Sequence, residues 1–174
     1  MIEVIDNFLT EKEFSYIQET MLGPYFPWYY NNFIVSEEDE SLNFQLIHNF
    51  YKLNPNYGYQ EICDLLELVQ PILSKLNMFL LIRSKANLTT ITDKHITSGY
   101  HCDFDYDCTT AIFYINSNNG YTIFKDTKEK VKSVPNRLLK FDTRMKHSGV
   151  SSTDEKRRVV INFNYIEKEI DNGS

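Results

Sequence analysis

The chain has 174 residues, a formal net charge of −6, and hydrophobic and charged fractions of 42% and 24%, a balance that excludes disordered and fibrous classes. The length supports one hydrophobic core and is short for two, so a single domain over residues 1–174 is expected. The acidic balance argues against a phosphate backbone as the main ligand, and the basic run "KDTKEKVK" from Lys125 to Lys132 is interrupted by Asp126 and Glu129.

In chain order, "IEVIDNF" reads as a short strand followed by a helix that starts at Thr10, where Thr10 and Glu13 have capping-box spacing. Phe14, Ile17 and Met21 share one face of it, and Gly23-Pro24 ends it. The N-terminus lacks a basic stretch followed by an apolar one, and Cys63, Cys102 and Cys108 cannot all pair. The expectation is a soluble intracellular (cytoplasmic) protein with reduced thiols, because the longest apolar candidate, "NMFLLI", is far short of a membrane span.

The aromatic stretch "GPYFPWYYNNF" holds the single tryptophan, Trp28. It reads as a cover over one end of the domain, with a lid or substrate-facing wall as the alternative. Ile62, Leu65, Leu66, Val69, Ile72, Leu73 and Leu76 follow a helical period, broken or kinked at Pro71. Residues 1–77 are therefore a helical support with an aromatic loop, and residues 78–168 form the β core.

In that core the pattern predicts strands near 79–90, 98–104, 108–116, 121–125, 129–134, 137–142, 146–150 and 156–166, with turns at Asn118-Asn119-Gly120 and Pro135-Asn136. Short strands at this spacing imply a mainly β fold, a sandwich or jelly roll carrying supporting N-terminal helices.

The chemistry concentrates in "YHCDFDY". On a strand, alternation turns His101 and Asp103 to one face and Cys102 to the other. His147 follows in "DTRMKHSGV". Two imidazoles and a carboxylate on a rigid sheet form the facial set that binds Fe(II) and leaves coordination positions open. Each piece alone reads more often as a structural side chain: His101 and Asp103 as a half-buried, hydrogen-bonded pair on a strand, His147 as a structural or surface histidine. Asp105 is the rival carboxylate, His95 lies in a loop, and His48 sits among apolar neighbours as a packed histidine. Cys102 and Cys108 lack the spacing of a zinc site.

Arg157-Arg158 opens the last strand, "RRVVINFNY". Alternation groups Arg157 with Val159, Ile161 and Phe163, the apolar face, and so favours Arg157 as the inward arginine. A buried guanidinium needs an anion, and a ligand carboxylate would serve. The competing reading has both arginines at the surface, paired with Asp154 and Glu155.

Taken together, "YHCDFDY", "FYINSNNGYTIF", "VPNRLLKFDTRMKHSGV" and "RRVVINFNY", over roughly residues 79–166, resemble the Fe(II)- and 2-oxoglutarate-dependent dioxygenases of the prolyl-4-hydroxylase-like branch. The opening "DNFLTEKEF" resembles the small phage and bacterial members. The resemblance implies a double-stranded β-helix, or jelly roll. It implies Fe(II) held by His101, Asp103 and His147, with O2 and 2-oxoglutarate as cosubstrates and ascorbate as a possible addition. It assigns the far carboxylate of 2-oxoglutarate to Arg157, with Arg158 as its competitor separated only by the alternation, and with Tyr114 donating to the same group. Tyr114 as a plain core aromatic is the competing reading.

In relatives a Gly-Gly pair stands where this chain has Asn119-Gly120-Tyr121. Asp103, by the same resemblance, favours hydroxylation over halogenation. The implied substrate is a prolyl or other amino-acid side chain, free or in a peptide, with no role for membrane or nucleic acid and no statement on oligomeric state. Viral origin and action in a host cytoplasm also rest on the resemblance alone. The rival classes are a noncatalytic jelly-roll binding module and a cupin-like enzyme using another metal.

Overall fold

The computed structural model describes residues 1–35, 44–54 and 58–169. In chain order it has strand β1 (Glu3–Ile5), helix α1 (Glu11–Leu22), β2 (Tyr29–Asn31), β3 (Gln45–Asn54) and β4 (Tyr59–Ile62). A 3₁₀ segment (Asp64–Val69) and the single turn α2 (Gln70–Leu73) follow. The remaining strands are β5 (Met78–Thr90), β6 (Thr109–Tyr114), β7 (Tyr121–Phe124), β8 (Lys130–Lys132), β9 (Arg137–Asp142), β10 (His147–Val150) and β11 (Arg157–Glu167). The large sheet has the order β1-β9-β6-β11-β5-β3-β2, with β4 beside β3, and the small one β10-β7-β8. Neighbouring strands are antiparallel throughout, and the architecture is a jelly roll with helices on one side.

The large sheet is buried on both faces. On the outer face, Phe113, Leu138, Val159, Ile161 and Phe163 pack against Phe14, Ile17 and Met21 of α1 and Ile72 and Leu73 of α2. On the inner face, Ile112, Tyr114, Leu139, Phe141 and Val160 meet Phe124 and Val131 of the small sheet. Burying each such side chain contributes roughly 1.5–3 kcal/mol, which is why short strands suffice. β11 runs through the middle and contributes to both cores, so apolar side chains do not distinguish its two faces.

α1 starts where the sequence places it. Thr10 Oγ1 accepts from the Glu13 amide and the Glu13 carboxylate accepts from the Thr10 amide, satisfying two orphan donors. The second helix is shorter than its apolar period predicts. Cys63 caps a 3₁₀ segment, and Pro71 sits in the first turn of α2, where it has no N–H to carry the ladder back into the preceding turn.

Seven of the expected core strands form, their ends shifted by at most a few residues. The strand expected at 98–104 is instead an irregular segment with isolated pairings of Thr97 with Val150 and His101 with His147. β2, β3 and β4 were not foreseen; in β3 a register shift between Asn49 and Tyr51 spoils the alternation that marks a strand. Trp28 packs on Phe26 with ring centroids 4.8 Å apart and joins the helix-covered core, so it belongs to a cover and does not line the cavity. No helix among the described residues is long and apolar enough to cross a membrane.

Candidate active site

His147 opens β10, and His101 lies opposite it in a single antiparallel bridge. Each donates its amide to the other's carbonyl at 3.0 Å, which sets the two imidazoles side by side with centroids 4.7 Å apart. His147 Nδ1 lies 3.0 Å from the Met145 carbonyl and His101 Nδ1 lies 3.4 Å from that of Gly99. With Nδ1–H donating to a carbonyl, Nε2 of each ring is left as a lone-pair donor. Burial pushes the His147 imidazole below its ordinary pKa, which keeps it in the neutral, metal-binding form.

Asp103 reaches the same point from a bend, not from a strand. Its side chain is 5% exposed. Oδ2 accepts from Asn164 Nδ2 at 2.8 Å and Thr110 Oγ1 at 3.2 Å, while Oδ1 lies 3.1 Å from the Arg83 guanidinium and 3.7 Å from His101 Nε2. Burial pushes this carboxyl up, but the Arg83 guanidinium and the Asn164 bond outweigh it and hold the pKa at about 2. Asp103 is thus a fixed anion whose Oδ1 is directed at the histidines.

One potential ligand atom from each of His101, Asp103 and His147 falls within 4.8 Å of the others. With metal–ligand bonds of ~2.0–2.2 Å, small side-chain rotations suffice for all three to share one ion. Among the described residues this is the one group of three or more such side chains close enough to do so. Two neutral imidazoles and one carboxylate on one side of an ion fit Fe(II) and leave its other positions open. The rival residues do not join this group. Asp105 is exposed, His95 Nδ1 is 2.8 Å from the Ser151 carbonyl, and Cys102 Sγ donates to the Arg144 carbonyl. His48, 2% exposed, lies between the Pro27 carbonyl and Cys63 Sγ.

The three residues border a cavity of about 360 Å³ between the two sheets. Arg158, 6% exposed, lines it. Its Nε donates to Ser133 Oγ at 3.2 Å and one terminal nitrogen donates to Thr122 Oγ1 at 3.3 Å. No carboxylate among the described residues pairs with it.

The expectation for Arg157 is therefore corrected. Its guanidinium turns to the other face of β11 and donates to the Leu22 carbonyl at 2.8 Å, beside a separate surface depression. The two arginines do alternate, but the apolar face of β11 is not the cavity face, since Val159, Ile161 and Phe163 face the helices. Tyr114 is also repositioned. It is fully buried behind the cavity wall, donates its hydroxyl to Thr122 Oγ1 at 2.8 Å, and lies under the Arg158 guanidinium with its ring centre 5.8 Å away. Gly120 gives that guanidinium its room, because a Cβ there would sit 2.8 Å from Arg158 Cδ.

Sequence reasoning passed over Arg83, Thr110 and Asn164, which fix Asp103, and the polar row that follows Arg83 along β5. The signal was present in "IRSKANLT": Ile82, Ser84, Ala86 and Leu88 are buried while Arg83, Lys85, Asn87 and Thr89 alternate with them and line the cavity.

No protein-family model matches the sequence, and comparison with curated proteins finds no match. Solved structures do match. A prolyl hydroxylase from Trichoplax adhaerens, in complex with a hypoxia-inducible-factor peptide fragment, superposes with TM-score 0.64 at 18% identity, covering 95% of this chain and 83% of that one. A 2OG-Fe(II) oxygenase family oxidoreductase from Burkholderia pseudomallei gives TM-score 0.67 at 9% identity, covering 97% and 86%. A prolyl-4-hydroxylase from Pseudomonas putida gives 0.57 at 16% identity, covering 96% and 92%. Identities this low speak to architecture, and nearly the whole of this chain takes part: it has the jelly-roll fold that these oxygenase structures share.

Proposed function

We propose that the protein is an Fe(II)- and 2-oxoglutarate-dependent dioxygenase that hydroxylates a C–H bond. The observation that carries this reading is one cavity bordered by His101, Asp103 and His147 and by a buried Arg158 that no carboxylate among the described residues pairs. When bound, the iron supplies the oxidising chemistry: 2-oxoglutarate loses CO2, one atom of O2 ends in succinate and the other in the hydroxylated product. His101 and His147 offer Nε2 and Asp103 offers Oδ1 to the metal. Arg83, Thr110 and Asn164 hold Asp103 in place and satisfy the rest of its hydrogen-bonding capacity.

Arg158 and the Thr122 hydroxyl take the far carboxylate of 2-oxoglutarate, where a guanidinium can bond two oxygens at once in a site screened from water. Tyr114 takes no direct part in this; it supports Thr122 and the guanidinium from behind. A prolyl or other amino-acid side chain, free or in a peptide, is the substrate reading that fits the prolyl hydroxylases sharing the fold. Ascorbate enters only as an assay additive.

The test is succinate formation by the purified protein with Fe(II), 2-oxoglutarate and O2, beside His147→Ala. Slow succinate release that disappears in the variant is expected. Succinate absent from both, with no 2-oxoglutarate bound by the anaerobic iron protein, would leave a noncatalytic binding module in its place.

A further inference from the structure

The cavity is cationic in an acidic protein. Among the described residues, Arg83, Lys85 and Arg158 line it against a single carboxylate, Asp103, although the chain carries a formal net charge of −6. Arg83 is matched by Asp103 at 3.1 Å. Arg158 has the cosubstrate's far carboxylate in the reading above. Lys85 remains. Its ammonium has no hydrogen bond or ion pair within the described residues.

Register places Lys85 directly opposite Asn162 of β11, whose Oδ1 is buried without a partner. A charge and an acceptor side by side on a cavity wall, both unsatisfied, are costly unless a ligand completes them. Arg158 stands opposite Thr89, two inward-facing positions further along β5, so Lys85 sits at the end of the wall near Asp103. Burial and the neighbouring Arg83 pull the Lys85 ammonium down to about 8 against the opposing pull of Asp103, so the amine feels that end of the cavity. 2-Oxoglutarate would place its far carboxylate on Arg158 and its near one on the metal, which leaves Lys85 for a carboxylate of another molecule.

We propose that Lys85 binds a carboxylate of the prime substrate and that Asn162 Oδ1 accepts an N–H or O–H of the same molecule. The substrate class is then a small carboxylic acid with an adjacent donor, such as a free or N-acylated amino acid, and not the interior of a polypeptide. This rests on the dioxygenase reading and narrows it.

The test uses Zn(II)-loaded protein saturated with 2-oxoglutarate, in which no turnover occurs. Binding of N-acetyl-L-amino acids and free L-amino acids is followed by ligand-observed NMR, each beside its carboxamide. At least one acid is expected to bind about tenfold or more tightly than its amide, a preference that Lys85→Met removes and Lys85→Arg keeps. The 2-oxoglutarate affinity of Lys85→Met, measured by calorimetry, is expected to stay within about threefold of the parent. Acids and amides binding alike across the panel would overturn the proposal. So would a Lys85→Met variant that loses 2-oxoglutarate while keeping the acid preference. A parent protein that shows the Lys85-dependent preference yet never binds 2-oxoglutarate would sink the dioxygenase reading and leave the Lys85 site standing.

Discussion

At the scale of single residues, Arg157 and Arg158 show how little separates a cavity group from a surface one. They are neighbours of the same type, and one backbone step sends them to opposite faces of β11. Removing Arg158 leaves a ligand carboxylate without its partner in a buried site, a loss of ~2–5 kcal/mol, so Arg158→Met should weaken 2-oxoglutarate binding by roughly thirtyfold or more. Arg157→Met should change it by less than about twofold, because that guanidinium meets only a carbonyl on the far side. Calorimetry on the anaerobic metal-loaded variants decides, and the opposite ranking would restore the apolar-face argument. His101, Asp103 and His147 could be read from sequence because their chemistry is rare and their order is informative. Arg83 and Lys85 stand in a legible alternation, but neither they nor Asn164 could be placed in an interior from it, since a polar residue on a strand usually faces water and only the second sheet covers this face.

Among the elements, the strands of the core from β5 onward were readable apart from the irregular segment at 98–104, and the N-terminal strands were not. The bulged β3 and the Pro71 break hid real structure. The turn after β8 was read correctly at Pro135-Asn136, but its second role was invisible. Asn136, 5% exposed and at φ 60°, accepts the Leu9 amide on Oδ1 and donates Nδ2 to the Leu9 carbonyl, both at 2.9 Å. Its own carbonyl accepts the Phe8 amide at 3.0 Å, so one turn clamps the segment between β1 and α1 onto the sheet. Asn136→Ala removes two buried bonds and puts a less tolerant residue in the left-handed region, and should cost ~2–4 kcal/mol. Asn136→Gly keeps the backbone freedom and should recover part of that loss. Urea unfolding of the three proteins measures it; equal midpoints would mean that the clamp contributes nothing.

Over the whole molecule, the question is whether the fold needs its metal. The jelly roll closes through two apolar cores, supplied by Phe113, Ile161, Phe163 and the α1 face on one side and Tyr114, Phe124 and Phe141 on the other, and of the ligands only His147 packs on either, its ring 4.7 Å from that of Phe141. Asp103, the one ligand whose buried charge would be expensive alone, already has Arg83, Thr110 and Asn164. Chelation should therefore leave a cooperatively folded protein, unlike a structural zinc site, where the ligands have no other partners. Adding back an ion at a hundred times its dissociation constant should stabilise by ~2.7 kcal/mol, a rise in melting temperature of about 5–10 °C for a chain of this size. Asp103→Asn should fold and lose most of that rise, because the amide can still meet Asn164 and Thr110 but no longer supplies the anion. A melting curve that collapses on chelation would instead place the ion among the elements holding the sheets together, and the argument from the two metal-free cores would fail.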